Sequence, residues 1–289
     1  MRAARLRNPA SARNRGRPAT PLAGDVREVE LTGPDRLDAT LAALAAEGIE
    51  LLIVDGGDGT LREIASRLPD AFPRPPRLAV IAGGNTNLVA RHAGAAKPAE
   101  IARLRAGGGR ERRLRLLRAE REGAPPLRGF ILGWGAYETA TRIAAEEGRG
   151  RGAPQVARTI LATLRRAAFG AEATSLRRGV ERGLGPGRAL AGVATTLEGP
   201  LLPGLDPFWG EGDDPIRWTE APAPAPHLAL GLAFALAGRP TGWMRRAGYR
   251  SGRAATLELG APAFVMDGER FEAAGPVRLS AAETLTFLS

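Results

Sequence analysis

Hydrophobic and polar positions change their period along this chain of 289 residues. In "DRLDATLAALAAEG" (35–48), Leu37, Leu41, Leu44 and Ala45 recur at helical spacing, and Gly48 stands where such a helix ends. "IELLIV" (49–54) is a short apolar run broken only by Glu50, the mark of a strand buried on both faces. A glycine turn, "GGDGT" (56–60), a helix over 60–68, a proline-rich break at 73–76 and a second strand, "RLAVIA" (77–82), come next. Another glycine turn, "GGNTN" (83–87), leads into the helix-like "LVARHAG". Strand, helix, strand, helix predicts a parallel sheet covered by helices. In such folds ligands bind beyond the carboxyl ends of the strands, where both glycine turns fall.

Near residue 110 the grammar changes. "RERRLRLLRAERE" (110–122) partly alternates and "LRGFILGW" (127–134) reads as one further strand. "APQVARTILATLRRAAF" (153–169) is helical. Beyond it, "RALAGVATTLE", "HLALGLAFAL", "AATLELG", "AFVMDGERFEA" and "TLTFLS" read as short strands separated by turn residues, the spacing of a β-sandwich. "EAPAPAPHL" (220–228) is a stiff connection inside this region. The expected organisation is an α/β domain over 1–111 and a mostly β domain over 112–289, with the last strand a candidate to return to the first domain.

Composition narrows the chemistry. The chain has no cysteine, which excludes disulfides, thiolate metal sites and a cysteine nucleophile. His92 and His227 sit in no metal-spacing motif. The net charge of +10 comes almost wholly from arginine, Lys97 being the one lysine. An anionic partner, nucleotide phosphate or membrane surface, suits that charge, and nothing in the pattern calls for nucleic acid. The longest apolar run, "LALGLAFALAG" (228–238), is well short of the roughly 20 residues that cross a bilayer. "MRAARLRNPAS" lacks the apolar centre of a signal peptide. A cytoplasmic protein that visits a membrane from one side is the expectation. "GRPTGWMRRAGYRSGR" (238–253) is the candidate contact, with Arg245, Arg246 and Arg250 beside Trp243, Met244 and Tyr249.

"GGDGT" alone has two readings, a turn made tight for packing or a cradle of main-chain amides for phosphate. A helix start beside it favours an anion. Asp58 would repel a bare phosphate, a conflict that Mg²⁺ or a ribose hydroxyl resolves. There is no Walker lysine motif and no G-x-G-x-x-G. "NPAS" (8–11) with Arg13, "AGGNTNLVA" (82–90) and "FVMDGERFE" (264–272) are the other candidate sites, and each also reads as an ordinary turn or cap.

In this order, "NPAS", "GGDGTLREI", "GGNTNLVA", "GYRSGRA" and "VMDGERF" resemble the diacylglycerol kinase catalytic-domain family, which includes bacterial lipid kinases and sphingosine and ceramide kinases. The resemblance implies an ATP-binding three-layer α/β domain, a β-sandwich lipid-binding domain and an active site in the cleft between them. By position it assigns Asn8, Ser11 and Arg13 to the nucleotide loop. It assigns Gly56, Gly57, Asp58, Gly59, Thr60 and Glu63 to the nucleotide-binding turn and its helix, and Gly84, Thr86 and Asn87 to the second turn. Asp267 falls on the general base and Glu269 on its acidic companion. Asp213 and Asp214 lie near an acidic metal-binding loop of relatives.

The implied activity is transfer of the ATP γ-phosphate, with Mg²⁺, to a hydroxyl of a lipid such as diacylglycerol, at an anionic membrane surface. A homodimer is compatible with this reading. Ala12 stands in place of the glycine expected after N-P-x-S, Leu88 in place of an aspartate, and "RLRNP" is a more charged first strand than the family shows. The alternatives are an NAD kinase-like enzyme, which shares GGDGT, and a non-catalytic nucleotide- or lipid-binding relative.

Overall fold

The computed structural model describes residues 1–84, 87–147, 179–181 and 186–289. The helix expected over 153–169 lies outside the described residues. The chain divides into two units, Met1–Leu116 with Glu283–Ser289, and Leu117–Ala282.

In the first unit β1 (Ala3–Arg7), β2 (Val26–Glu30), β3 (Leu51–Gly56) and β4 (Arg77–Ala82) lie in the order β2-β1-β3-β4, all parallel. Successive residues of a strand face opposite sides. On one side Leu51 and Ile53 join Ala3 and Ala79 in a core closed by Ile101 and Leu104 of α4 (Ile101–Arg105) and by Leu288. On the other, Leu52 and Val54 are equally buried. A strand buried on both faces needs cover on both. The further helices are α1 (Leu37–Ala46), whose Leu37, Leu41 and Leu44 are buried at the expected spacing, α2 (Asp58–Ala71) and α3 (Leu88–Ala93). α1 packs on α2, and α2 on β3.

Two details differ from the sequence reading. β2 went unexpected, since its five residues are mostly exposed and carry little apolar signal. α2 begins at Asp58, two residues early, and runs past Pro69. Asp58 and Gly59 therefore belong to the first helical turn, not to a loop.

β5 (Glu111–Arg121) and β15 (Val277–Leu288) each cross the boundary between units. β15 ends beside β4, with Phe287 opposite Leu78.

The second unit is built from antiparallel strands. β6 (Ala124–Gly129), β7 (Ile131–Gly135), α5 (Ala136–Glu147), β8 (Val180–Glu181), β9 (Arg188–Thr195), β10 (Ile216–Pro222), β11 (Arg250–Ala254), β12 (Thr256–Leu259), β13 (Ala263–Met266) and β14 (Glu269–Glu272) are its described elements besides two helices. One sheet has the order β11-β10-β9-β7-β13-β14, with β8 against β9. Its inward residues Leu132, Trp134, Trp218, Phe264 and Met266 share a core with Leu117, Ala119, Leu257, Leu259 and Leu279 of β5, β12 and β15. That is a sandwich of two layers.

"LRGFILGW" is not one strand. β6 pairs with β5, whereas β7, one residue later, pairs with β9 and β13. "LALGLAFAL" is not a strand either. Leucine and alanine without a β-branched residue favour a helix, and the segment forms α6 (Leu228–Leu236), followed by α7 (Gly242–Arg246).

Candidate active site

The two glycine turns of the first unit meet face to face. Gly83 donates its N–H to the Gly56 carbonyl at 2.7 Å. A Cβ on Gly84 would stand 2.7 Å from the Gly57 Cα, and one on Gly83 would stand 3.0 Å from the Gly56 Cα. Gly57 itself has φ −91° and ψ −178°, a backbone open to any residue. Its glycine is required for room rather than for conformation. The turns serve packing and at the same time bring two helix starts, α2 and α3, to one place.

Asp58 joins those starts. Its carboxylate accepts the Leu88 N–H at 2.9 Å and the Val89 N–H at 3.1 Å, so it caps α3 from thirty residues away. Burial pushes its pKa up; the Leu88, Val89 and Asn87 amides and the Arg91 charge pull the other way. This changes the sequence reading: the acidity of Asp58 is answered by amide donors, not reserved for a cation. Leu88, the departure from the family pattern, supplies the bond through its main chain. Asn87 closes the same turn, its Oδ1 accepting the Gly84 N–H at 2.9 Å and its Nδ2 donating to the Gly84 carbonyl at 2.8 Å. Thr86 lies outside the described residues.

The 8–14 loop is tied to both turns. Asn8 donates from Nδ2 to Thr60 Oγ1 at 2.7 Å and accepts the Ala10 N–H at 2.9 Å. Arg13 donates its main-chain N–H to the Gly83 carbonyl at 2.9 Å, and its exposed guanidinium reaches the Ala82 carbonyl at 3.4 Å. Asn14 holds Asp55 Oδ1 at 2.9 Å and the Asn8 carbonyl at 3.0 Å. Glu63 is turned away from this cluster into ion pairs with Arg62 and Arg67 along α2.

A phosphate chain fits what is left open. The first bond inside α2 runs from the Leu61 N–H to the Gly57 carbonyl, so the earlier amides of Gly59 and Thr60 have no acceptor in the helix. Ser11 Oγ is buried without a hydrogen-bond partner, and a Cβ on Gly83 would stand 3.0 Å from it. Amides, an orphan hydroxyl and the Arg13 charge are a donor set for an anion. A cation has no comparable set, because no group of three or more His, Asp or Glu assembles among the described residues.

In the second unit Asp267 and Gly268 form the turn between β13 and β14, both with positive φ (47° and 91°). That is an Asp-Gly hairpin, and its aspartate does more than turn the chain. Its carboxylate accepts the Phe130 N–H and the Ile131 N–H, each at 2.9 Å, at the break between β6 and β7. Gly129 leaves the space: a Cβ there would meet Asp267 Oδ2 at 2.5 Å. Burial and then the Asp267 charge push the Tyr137 phenol up to about 12.

Glu269 is exposed at the start of β14. Asp213 and Asp214 are exposed in a loop where Arg253 takes the Asp214 carbonyl at 3.1 Å. Arg253 also pairs with Glu198, holding that carboxyl below its usual range.

Residues 7–119 match the family model described as the diacylglycerol kinase catalytic domain. The matched segment contains both glycine turns and the Asn8 loop. Among solved structures, that of a diacylglycerol kinase from Bacillus anthracis str. Sterne is similar at a TM-score of 0.64 and 14% identity, covering 99% of this chain and 96% of that one. A second structure from the same organism, described provisionally as such a kinase, gives 0.64, 14%, 99% and 95%. At that identity the likeness is one of fold. A comparison with curated proteins finds no match.

Three contributors were missed from sequence. Asn14 braces the loop by side-chain bonds that no motif marks. Arg91 stands one helical turn after Asn87, a spacing that could have flagged it. Tyr137 is tied to Asp267 only through the fold.

Proposed function

We propose that this protein is an ATP-dependent lipid kinase that moves the γ-phosphate to a lipid hydroxyl, with diacylglycerol as the leading acceptor. The observation that carries the reading is the family match over residues 7–119, inside which the paired glycine turns and the Ser11 hydroxyl form an open donor set for phosphate. Positioning and charge neutralisation supply most of the catalysis of phosphoryl transfer. The amides at the start of α2, Ser11 and Arg13 would hold the nucleotide phosphates. Mg²⁺ arriving with the nucleotide would add charge neutralisation to what these residues supply.

Asp267 would accept the acceptor's proton as its oxygen bonds to the γ-phosphorus and the bond to the β-phosphate oxygen breaks, releasing ADP. Each of its oxygens accepts one main-chain amide, which fixes where the carboxylate stands.

The test is transfer of label from γ-labelled ATP to diacylglycerol in detergent micelles, with an extracted lipid mixture beside it. Labelled phospholipid is the expected product, formed ~10²–10⁴-fold more slowly by Asp267→Asn. ATP binding with no labelled lipid from either source would reduce the protein to a nucleotide-binding relative.

A further inference from the structure

α6 is apolar throughout and is built inside out. Its buried positions are two small residues, Gly231 and Ala235, one turn apart. Gly231 lies against the Tyr249 ring, and Ala235 clusters with Ala221, Met244 and Tyr249. The larger side chains are left outward. Leu230 is 51% exposed, Ala229, Ala233 and Ala237 are exposed beside it, and Leu232 and Leu236 are only half-buried. A helix apolar on every side belongs in a core or in lipid.

Charge selects between the partners such a face could take. From Ala221 to Leu257 the chain carries no aspartate or glutamate and five arginines. Four of them, Arg239, Arg245, Arg246 and Arg250, are exposed. A second copy docked here by two-fold symmetry would set these arginines against their equivalents, which is repulsive. An anionic bilayer attracts them and accepts the leucines. Trp243, half-buried between His227 and Tyr249, has the amphipathic ring that suits a lipid interface. Met244 and Tyr249, expected from sequence to touch the membrane, are buried beneath α6 and serve as its anchor.

We propose that α6, with Trp243 and the arginines at 239–250, is a docking face for an anionic lipid surface. Arginine attracts the headgroups, each basic residue near the surface raising partition about fivefold. The face is read by binding alone, so it stands or falls separately from the phosphoryl-transfer reading.

The experiment is co-sedimentation of the purified chain with two vesicle types, phosphatidylcholine alone and equal parts phosphatidylcholine and phosphatidylglycerol. The wild type should bind the anionic vesicles, release as salt rises, and blue-shift its tryptophan emission. Arg245→Glu with Arg246→Glu should lower partition by about 25-fold or more, and Leu230→Gln should lower it on the same vesicles without changing thermal unfolding. Trp243→Phe should remove the emission shift. Equal binding by wild type and both variants overturns the proposal. So does a wild type that ignores vesicles but self-associates with increasing concentration and is made monomeric by Leu230→Gln, which would make the face a protein interface.

Discussion

Gly57 and Gly84 stand so close that a Cβ on Gly84 would come within 2.7 Å of the Gly57 Cα. The obstacle is main chain, which cannot rotate aside as a flexible side chain could. Gly84→Ala should therefore force the two turns apart, at about 1–3 kcal/mol of stability. It should also weaken ATP binding more than it weakens the fold. Calorimetric titration with ATP, beside urea unfolding, checks both. A normal affinity in a destabilised protein would confine these glycines to packing.

Asp58 predicts a different pattern. Its two oxygens each take an amide of α3, and asparagine has only one acceptor oxygen to offer. Asp58→Asn should cost about 1 kcal/mol, the usual worth of a helix cap. Amide exchange in 88–93 should speed up, while exchange in β3 stays slow. Uniform acceleration through the first unit would mean that Asp58 holds more than one helix end.

Tyr137 gives a pH readout of the Asp267 neighbourhood, with Tyr249 as a phenol raised by burial alone. Burial raises both phenols, and Tyr137 reaches about 12, with Asp267 adding to the rise. The folded state thus keeps the Tyr137 proton after the unfolded chain has lost it. Stability should fall as pH climbs from the ordinary value of 10.0 to about 12, and not below that window. Ultraviolet titration of phenolate should show little ionisation at 10 until unfolding begins. In Asp267→Asn the Tyr137 midpoint should drop but stay above 10, because burial is the larger cause. An unmoved midpoint would separate the two residues.

Beneath the 8–14 loop the buried Arg5, Arg7 and Asp55 form an ionic cluster with the exposed Glu28 and Glu30. Arg7 pairs with Glu30 at 2.9 Å and faces Asp55 at 3.9 Å; Arg5 pairs with Glu28 at 2.6 Å and faces Asp55 at 3.8 Å. Arg7 also donates to the Arg17 carbonyl at 2.6 Å. Arg7→Met removes a buried charge that faces the buried Asp55, and about 3 kcal/mol of stability should go with it. Denaturant unfolding measures this. A loss under about 0.5 kcal/mol, typical of a surface substitution, would show that Arg5 and Asn14 suffice for Asp55.

Much of the first unit was legible because its strands and helices alternate with a clear change of period, as at Leu41, Ile53 and Val80. The glycine motifs located the candidate site but not its reason. Sequence shows that Gly57 is flexible, and only the fold shows that Gly84 is its neighbour. Likewise nothing in "DGT" says that Asp58 spends its charge on the amides of Leu88 and Val89, since a main-chain donor has no letter. "LALGLAFAL" misled because an unbroken apolar run carries no phase to tell period 2 from period 3.6. Its lack of β-branched residues was the available clue.

β15 has a consequence for synthesis. The first unit takes residues from both ends of the numbering, and the strand pairing with β4 arrives only after all of the second unit has been made. A nascent chain stopped anywhere before residue 283 carries β4 with that edge covered only at Val80, whose carbonyl takes the Ala96 N–H, and an uncovered edge recruits foreign strands. The unit that would hold the nucleotide is thus last to close, although most of its residues are made first. Residues 1–116 expressed alone should aggregate, and a permuted chain in which 283–289 precede Met1 through a glycine-serine linker should supply the missing strand early. The order in which this protein is made and the order in which it can finish folding are opposed.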